Sequence, residues 1–126
     1  MNLNPFFKSV VDQCPTQIII CNTDHEILYM NPAAAEGQMK RGGYSLVGKN
    51  LKNCHNPDSV EKIQKVVEWF KADKENNIMF TYRNEKKNKD VYMVALRDEN
   101  GELIGYYERH EMRSYENAEP YGPLGK

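Results

Sequence analysis

The amino-acid sequence predicts an α+β domain in which an antiparallel sheet carries helices packed on one face. Strand-like runs lie in both halves of the chain, and an amphipathic helical pattern lies between them. The last two runs flank Asn100-Gly101, a pair that favours a tight hairpin with a positive φ at both turn residues. Strands joined by a tight turn are antiparallel, and the helical middle must leave the sheet and return to cover it.

The N-terminal third predicts one helix followed by two strands. The helix is indicated by apolar residues at one-turn spacing, namely Phe6, Phe7, Val10 and Val11. The Cys14-Pro15 step ends this helix, because the residue before a proline is pushed out of the helical region. Isoleucine-rich residues 17–22 and residues 27–30 then predict two short strands joined by a polar turn.

The middle of the chain predicts two further helices separated by a loop. Asn31 as a cap and Pro32 at the first helical position favour a helix start, and Gly42-Gly43 favours its end. After a loop over residues 45–56, residues 58–72 predict the strongest helix, with Asp58 and Glu61 as a capping box or Ser59 as the cap. Its apolar residues form one stripe, Val60, Ile63, Val66, Val67 and Phe70.

The C-terminal part predicts three strands and a tail. The strands are expected at residues 77–83, 89–97 and 103–109. Residues 115–126 contain two prolines and two glycines and have no periodic pattern. We therefore expect one domain over residues 1–113 and a flexible tail over residues 114–126.

Composition excludes several classes of protein. The 126 residues carry 17 basic and 18 acidic side chains, a net charge of -1, which argues against a nucleic-acid or membrane-surface protein. No apolar run is long enough to span a bilayer, and the N-terminus lacks the pattern of a signal peptide. Three cysteines without paired spacing argue against a disulfide scaffold and favour the reducing cytoplasm.

Four segments in this order and spacing resemble a PAS domain over residues 6–113. They are IIICNTD at 18–24, ILYMNPAA at 27–34, LVGKNL at 46–51 and RDENGELIGY at 97–106. Residues 53–57, NCHNP, are similar to a Cys-His-x-Pro element found in a bacterial subset of the family. One departure is His25, where many members have glycine; histidine tolerates the positive φ of that turn at a small cost.

The resemblance implies a five-stranded antiparallel sheet, helices that enclose a cavity on one face, and a sensory function. A small ligand or a partner would be bound in that cavity, and the resulting population shift would be passed on. No enzyme signature is present, so we expect no catalytic residues. We also expect no resident metal, and an output carried by a separate polypeptide.

Face alternation and the resemblance together give a candidate pocket. Alternate residues of a strand share a face, so Met93 and Ala95 face one way, and the small Ala95 leaves room for a guest. The candidate ligand-binding residues are Ile20, Ala34, Met39, Val67, Phe70, Met93, Ala95 and Tyr106.

His55 and Cys54 leave functional alternatives open. His55 is either a brace at the start of the long helix or an axial ligand to haem iron. Cys54 is either a small packed side chain or a redox-sensitive thiol. A zinc site made from Cys14, Cys21, Cys54 and a histidine lacks the paired ligand spacing that zinc sites show.

Two surface features complete the sequence-based predictions. The Lys86, Lys87 and Lys89 cluster, mixed with acidic residues, indicates a solvated turn in preference to a phosphate site. The apolar stripe of the first helix, Phe6, Phe7, Val10 and Val11, indicates a homodimer contact, since a leading helix contributes little to a monomer core. Three functions therefore compete: a ligand sensor, a haem or redox sensor, and a module for interaction alone.

Overall fold

A computed structural model describes residues 1–125 and, at Cys54, the backbone alone. The helices are α1 Asn4–Asp12, α2 Pro32–Gly37 and α3 Pro57–Ala72. The strands are β1 Ile18–Asn22, β2 Ile27–Met30, β3 Ile78–Asn84, β4 Lys89–Arg97 and β5 Leu103–Met112. Short 3-10 turns lie at Met39–Arg41, Gly43–Leu46, Leu51–Cys54 and Gly122–Leu124.

The five strands form one antiparallel sheet in the order β2-β1-β5-β4-β3, which confirms the predicted fold class. The first and last strands of the chain are neighbours, because β1 pairs with β5 along its whole length. Gly105 of β5 allows this approach: a Cβ there would lie 2.2 Å from the carbonyl oxygen of Cys21. Only glycine fits at that point of the sheet.

The core lies between one face of the sheet, here called the inner face, and helices α2 and α3. Val67 and Phe70 of α3 are buried there, in the stripe that the sequence predicts. They pack in one cluster with Ala34 of α2 and with Met30 and Tyr106 of the sheet. The helices therefore cover one face of the sheet, as the fold class requires.

The second helix is shorter than predicted. It ends at Gly37 and not at the glycine pair Gly42-Gly43, which terminates the 3-10 turn that follows. A Cβ at residue 37 would lie 2.3 Å from the end of the Gln17 side chain, which passes close to the backbone here and would have to move. Glycine also disfavours continuing the helix.

The cap of α3 differs from both predicted alternatives. Asn56 is the N-cap, since its side-chain oxygen accepts a hydrogen bond of 2.8 Å from the Ser59 amide, and Pro57 occupies the first turn. An asparagine followed by proline is an efficient helix start, so the capping box of Asp58 and Glu61 is not used.

The β4–β5 hairpin forms as predicted, but its turn is of another type. Gly101 has φ +80°, whereas Asn100 does not have a positive φ. The Asp98 carbonyl accepts from the Gly101 amide, and the Asp98 carboxylate accepts from the amides of Asn100 and Glu102. The loop is therefore longer than a two-residue hairpin turn. It has a glycine after the turn, and only that glycine adopts a left-handed conformation. In the β1–β2 hairpin, His25 does adopt a positive φ of 68°.

The tail beyond residue 113 carries exposed side chains up to residue 125. Among residues 1–125, no helix combines the length and the apolar character needed to cross a bilayer.

Candidate ligand-binding cavity

A cavity of about 620 Å³ lies between the inner face of the sheet and the helical side of the domain. Volumes of 300–1,000 Å³ are typical of small-molecule sites. Strands β1, β3, β4 and β5 contribute to its floor. Its walls come from α3 and from two segments, residues 37–41 and residues 51–55.

The floor of the cavity is built from alternate residues of the strands. Ile19 and Cys21 of β1 line it, but Ile20 between them does not. The same alternation selects Lys89, Val91 and Met93 of β4 and Tyr106, Glu108 and His110 of β5. Because successive strand residues point to opposite faces, one register fixes the contributions of β1, β4 and β5, whereas β3 contributes the consecutive residues Thr81 and Tyr82 at a shift in its pairing.

One part of the cavity is apolar. Met93 lies across β5 from Ile19, with Glu108 between them in the same cross-strand row. Leu51, Ile63 and Val66 line the opposite wall. Side chains of this kind can enclose the hydrocarbon part of a ligand.

Another part of the floor is charged. The His110 Nε2 atom lies 3.2 Å from a carboxylate oxygen of Glu108, and the His110 side chain is 8% exposed. The Nδ1 atom of His110 is buried without a hydrogen-bond partner in the structure. Lys89, the first residue of β4, lies across the ladder from the end of β5, and burial lowers the pKa of its ammonium group. Charged groups at the floor of an otherwise apolar cavity are unusual and can orient a ligand.

The rim of the cavity is basic. Four exposed cations line it in addition to Lys89, namely Lys40, Arg41, Lys62 and Lys87. The prediction of a solvated turn therefore holds for Lys86, which is exposed, but not for Lys89. Lys89 shares strand parity with Val91 and Met93, and that parity directs it toward the cavity.

The structure places the eight candidate pocket residues in different surroundings. Met93 and Tyr106 line the cavity. Ile20 alternates with cavity-lining residues, and Met39 is 69% exposed. The remaining four, Ala34, Val67, Phe70 and Ala95, belong to the packed core or lie against it. These four side chains are packed against one another and do not line an open space, because α3 lies directly on the part of the sheet that contains Ala95.

His55 also lines the cavity, next to the start of α3. The brace at the helix start is Asn56, not His55. The predicted alternatives for Cys54 concern a side chain outside the described part of the structure. Among the described side chains, no three of the types His, Cys, Asp and Glu are grouped so as to hold a metal ion.

A buried polar contact involves Tyr106, one of the residues that line the cavity. The Tyr106 hydroxyl and His25 Nδ1 share a hydrogen bond of 2.8 Å, and both residues are buried. Burial is the main cause that lowers the pKa of His25 and raises that of Tyr106. Burial likewise raises the pKa of Cys21 to about 12, so its thiol stays protonated at neutral pH.

Sequence reasoning missed the charged residues of the floor. Glu108 and His110 follow Tyr106 at intervals of two, so extending the alternation of β5 would have found them. Gln17 and Gln38 also line the cavity and are joined by a hydrogen bond of 3.0 Å. Nothing local in the sequence indicates that contact, because it joins two segments far apart in the chain.

The fold and the cavity together define a class of protein, a small α+β module with a ligand-sized space between sheet and helices. The chain belongs to the PAS domain family, whose sequence profile matches residues 15–108. PAS domains are sensory and signalling modules. Among curated protein sequences, none matches the chain.

Solved structures support the fold. The C-terminal domain of a Streptococcus mutans protein is 27% identical, with a TM-score of 0.66 over 94% of this chain and 84% of that one. A PAS domain from Colwellia psychrerythraea is 13% identical, with a TM-score of 0.64 over 88% of this chain and 97% of that one. The Aer2 receptor from Vibrio cholerae, a dual PAS-heme oxygen sensor, is 20% identical, with a TM-score of 0.55 over 75% of this chain and 91% of that one.

Proposed function

We propose that this PAS domain is a non-enzymatic, cytoplasmic sensor module that binds a small ligand in the cavity. The observation that carries the proposal is the cavity itself, about 620 Å³ in volume, with an apolar wall and a charged floor. Its lining comes from both the sheet and α3, so an occupant would contact both layers. A ligand that binds one arrangement of these layers more tightly shifts the population toward it, and an output protein can read that shift.

Native mass spectrometry tests this proposal. Met93→Trp places a large ring in the cavity, whereas Val94→Trp adds the same ring at the next position, which is not among the cavity-lining residues. We expect a co-purifying or added small molecule to bind the parent chain and Val94→Trp but not Met93→Trp. A cooperative thermal unfolding transition in each variant serves as the control that it is folded. Equal binding by Met93→Trp would contradict the assignment of the cavity.

A haem-sensing function is the second candidate, because His55 lines the cavity. A neutral imidazole is a suitable axial ligand, and the basic rim suits the propionate groups of haem. The charged floor formed by Lys89, Glu108 and His110 fits the apolar face of a porphyrin poorly. An absorption spectrum after haem addition distinguishes the two: a strong visible band that His55→Ala abolishes would favour haem.

We also propose that the module forms a homodimer through α1 and the outer face of the sheet. Phe6, Phe7 and Val10 are 58%, 61% and 72% exposed, and α1 has no buried residue. On the face of the sheet away from α3, Ile78 and Phe80 are 54% and 49% exposed. The apolar stripe of one helix suits such a sheet face, and a second copy supplies both surfaces at once.

Light scattering across a concentration series tests self-association. Phe7→Ser should weaken the dimer, whereas Lys8→Ser, at the neighbouring position of the same helix, should leave it unchanged. Lys8 forms an ion pair with Asp12 within its own chain, which makes it a suitable control. If Phe7→Ser and the parent chain dimerise equally, α1 is not the contact. If Phe7→Ser loses self-association and the parent chain binds no small molecule, a module for interaction alone is favoured.

A further inference from the structure

We propose that the cavity takes a small organic anion that has an apolar body and a carboxylate or phosphate head. This inference rests on the proposed function, since it names the chemical class of ligand for the same cavity. Four observations carry it: the charge balance of the lining, the lack of ion-pair partners, the burial of one lysine, and the apolar wall.

The charge balance of the lining is strongly positive. Five cations line the cavity, Lys40, Arg41, Lys62, Lys87 and Lys89, against one carboxylate, that of Glu108. The whole chain is nearly neutral, with a net charge of -1, so this is a local concentration of cations. A cleft lined by one sign of charge raises the local concentration of ligands of the opposite sign.

These cations have no carboxylate partners in the part of the chain that the structure describes. None of the five has an Asp or Glu oxygen within 4.0 Å. Elsewhere on the surface, Lys8, Lys65 and Arg83 do have such partners, at 2.6, 3.3 and 2.8 Å. Cations away from the cavity, such as Lys49, Lys52 and Lys86, also lack such a partner among the described residues, so the absence is not peculiar to the cavity. It nevertheless leaves the five lining cations available to an incoming anion.

Lys89 is the best-placed recognition group. It is half-buried and lines the cavity, and its pKa is lowered by burial and by the nearby Lys87, an effect that the charge of Glu108 offsets only in part. A charged group removed from water is stable only when it is paired. A ligand carboxylate or phosphate would provide that pair.

Glu108 does not reverse this preference. Its carboxylate lies against His110, with 3.2 Å between the nearest atoms, so part of its charge is already engaged by a ring nitrogen. The other ring nitrogen of His110 is buried and has no partner in the structure. Because Nε2 donates its hydrogen to Glu108, the Nδ1 atom of a neutral ring is an acceptor, so the lining cations and not His110 provide the attraction for an anion.

The apolar wall specifies the other end of the ligand. Met93 lies two residue pairs along β4 from Val91 and His110, farther from Lys89 than they are. Ile63 and Val66 of α3 face the same space. A molecule with its head near Lys89 would extend a hydrocarbon body along these α3 side chains, because Met93 on the floor has Glu108 as its cross-strand neighbour, and burial of apolar area against α3 favours binding.

Four compounds with one ten-carbon chain test the head group: decanoate, decyl phosphate, decanol and decylamine. Binding is measured by isothermal titration calorimetry below the concentration at which each compound forms micelles. We expect one or both anions to bind at least about tenfold more tightly than decanol, in line with a charge-assisted contact. Decanoate and decyl phosphate separate the two head groups. Higher salt should weaken anion binding and leave decanol unaffected.

Two lysine variants test the site. Lys89→Met removes the half-buried cation and should weaken anion binding about tenfold. Lys65→Met removes a paired lysine of α3 that does not line the cavity, and should leave the affinity unchanged. Both variants keep a long apolar stem, so changes in packing are small.

The possible results separate this inference from the proposed function. If decanol or decylamine binds as tightly as the anions, or if the parent chain purifies with a neutral or cationic ligand, the anion assignment is overturned while the sensor function stands. If none of the four compounds binds, the ligand that native mass spectrometry identifies decides: an organic anion supports the assignment, and a neutral or cationic compound overturns it. If nothing binds and nothing co-purifies, both proposals fail.

Discussion

Replacing Asn31 by alanine should destabilise the domain far more than an ordinary helix-cap mutation does. Asn31 is fully buried and joins three segments. Its side-chain oxygen accepts from the amides of Ala34 at 2.9 Å and Ile18 at 3.0 Å. Its side-chain amide donates to the carbonyls of Val11 and Thr16, both at 3.0 Å.

The expected loss of unfolding free energy follows from these contacts. A lost N-cap costs about 1 kcal/mol. Each of the three other backbone groups left without its partner costs about 1 kcal/mol, since they are only partly buried. Asn31→Ala should therefore lose about 3 to 4 kcal/mol, a large fraction of the stability of an ordinary domain.

Asn56 provides a matched control. It is also an N-cap followed by proline, but it is exposed and accepts one hydrogen bond from Ser59. Asn56→Ala should lose about 1 kcal/mol. Urea unfolding followed by circular dichroism measures both losses, and an unchanged m-value confirms that the unfolded states are comparable. If the two variants lose the same free energy within about 1 kcal/mol, Asn31 is only a cap and the reasoning from its other contacts is wrong.

Three further predictions concern Arg97, His25 and Cys21. The Arg97 guanidinium donates to the carbonyls of Phe70 and Gly101 at 2.7 and 3.1 Å, among others. Arg97→Lys should lose about 2 kcal/mol of unfolding free energy, measured in urea, because a lysine ammonium cannot make the several hydrogen bonds of the planar guanidinium. Burial lowers the pKa of His25, so the unfolded chain binds more protons; stability should fall as pH drops below about 6.5, and His25→Asn should flatten that slope. The buried Cys21 thiol should resist alkylation at pH 8 in the native state, by peptide mass spectrometry, and react after unfolding.

Each of these predictions has a control or a contradicting result. Arg83→Lys, in an exposed ion pair with Asp90, should cost less than about 1 kcal/mol, and an equal cost for both arginine variants would refute the argument for Arg97. The pH argument fails if His25→Asn keeps the slope of the parent chain. Alkylation of native Cys21 at the rate of a free thiol would show that β1 opens readily.

The sequence was sufficient for the fold because periodicity and turn residues act locally. The stripe of α3, the alternation of β4 and the left-handed turn at His25 are each properties of a few neighbouring residues. Local signals failed where a distant segment decides the outcome. At the end of the second helix, Gly37 lies against the side chain of Gln17 from another segment. The hairpin turn is a different case, because the Asp98 carboxylate that shapes it lies only two residues before Asn100.

The site was less predictable than the fold for the same reason. Strand parity puts Met93 and Tyr106 on one face of the sheet, where they line the cavity, and the same parity extends to Glu108 and His110. Parity does not show where α3 rests on the sheet. Phe70 fills one end of the inner face completely, which leaves the open space at the other end, near Lys89.

The bonds of Asn31 have a mechanical consequence for the two helices on either side of it. The last turn of α1 and the first turn of α2 end on the same side chain, through the Val11 carbonyl and the Ala34 amide. The far end of α2, at Gly37, forms part of the cavity wall. Because the same side chain also holds the Ile18 amide, a displacement of α2 that keeps this junction intact reaches both the N-terminal helix and the start of β1.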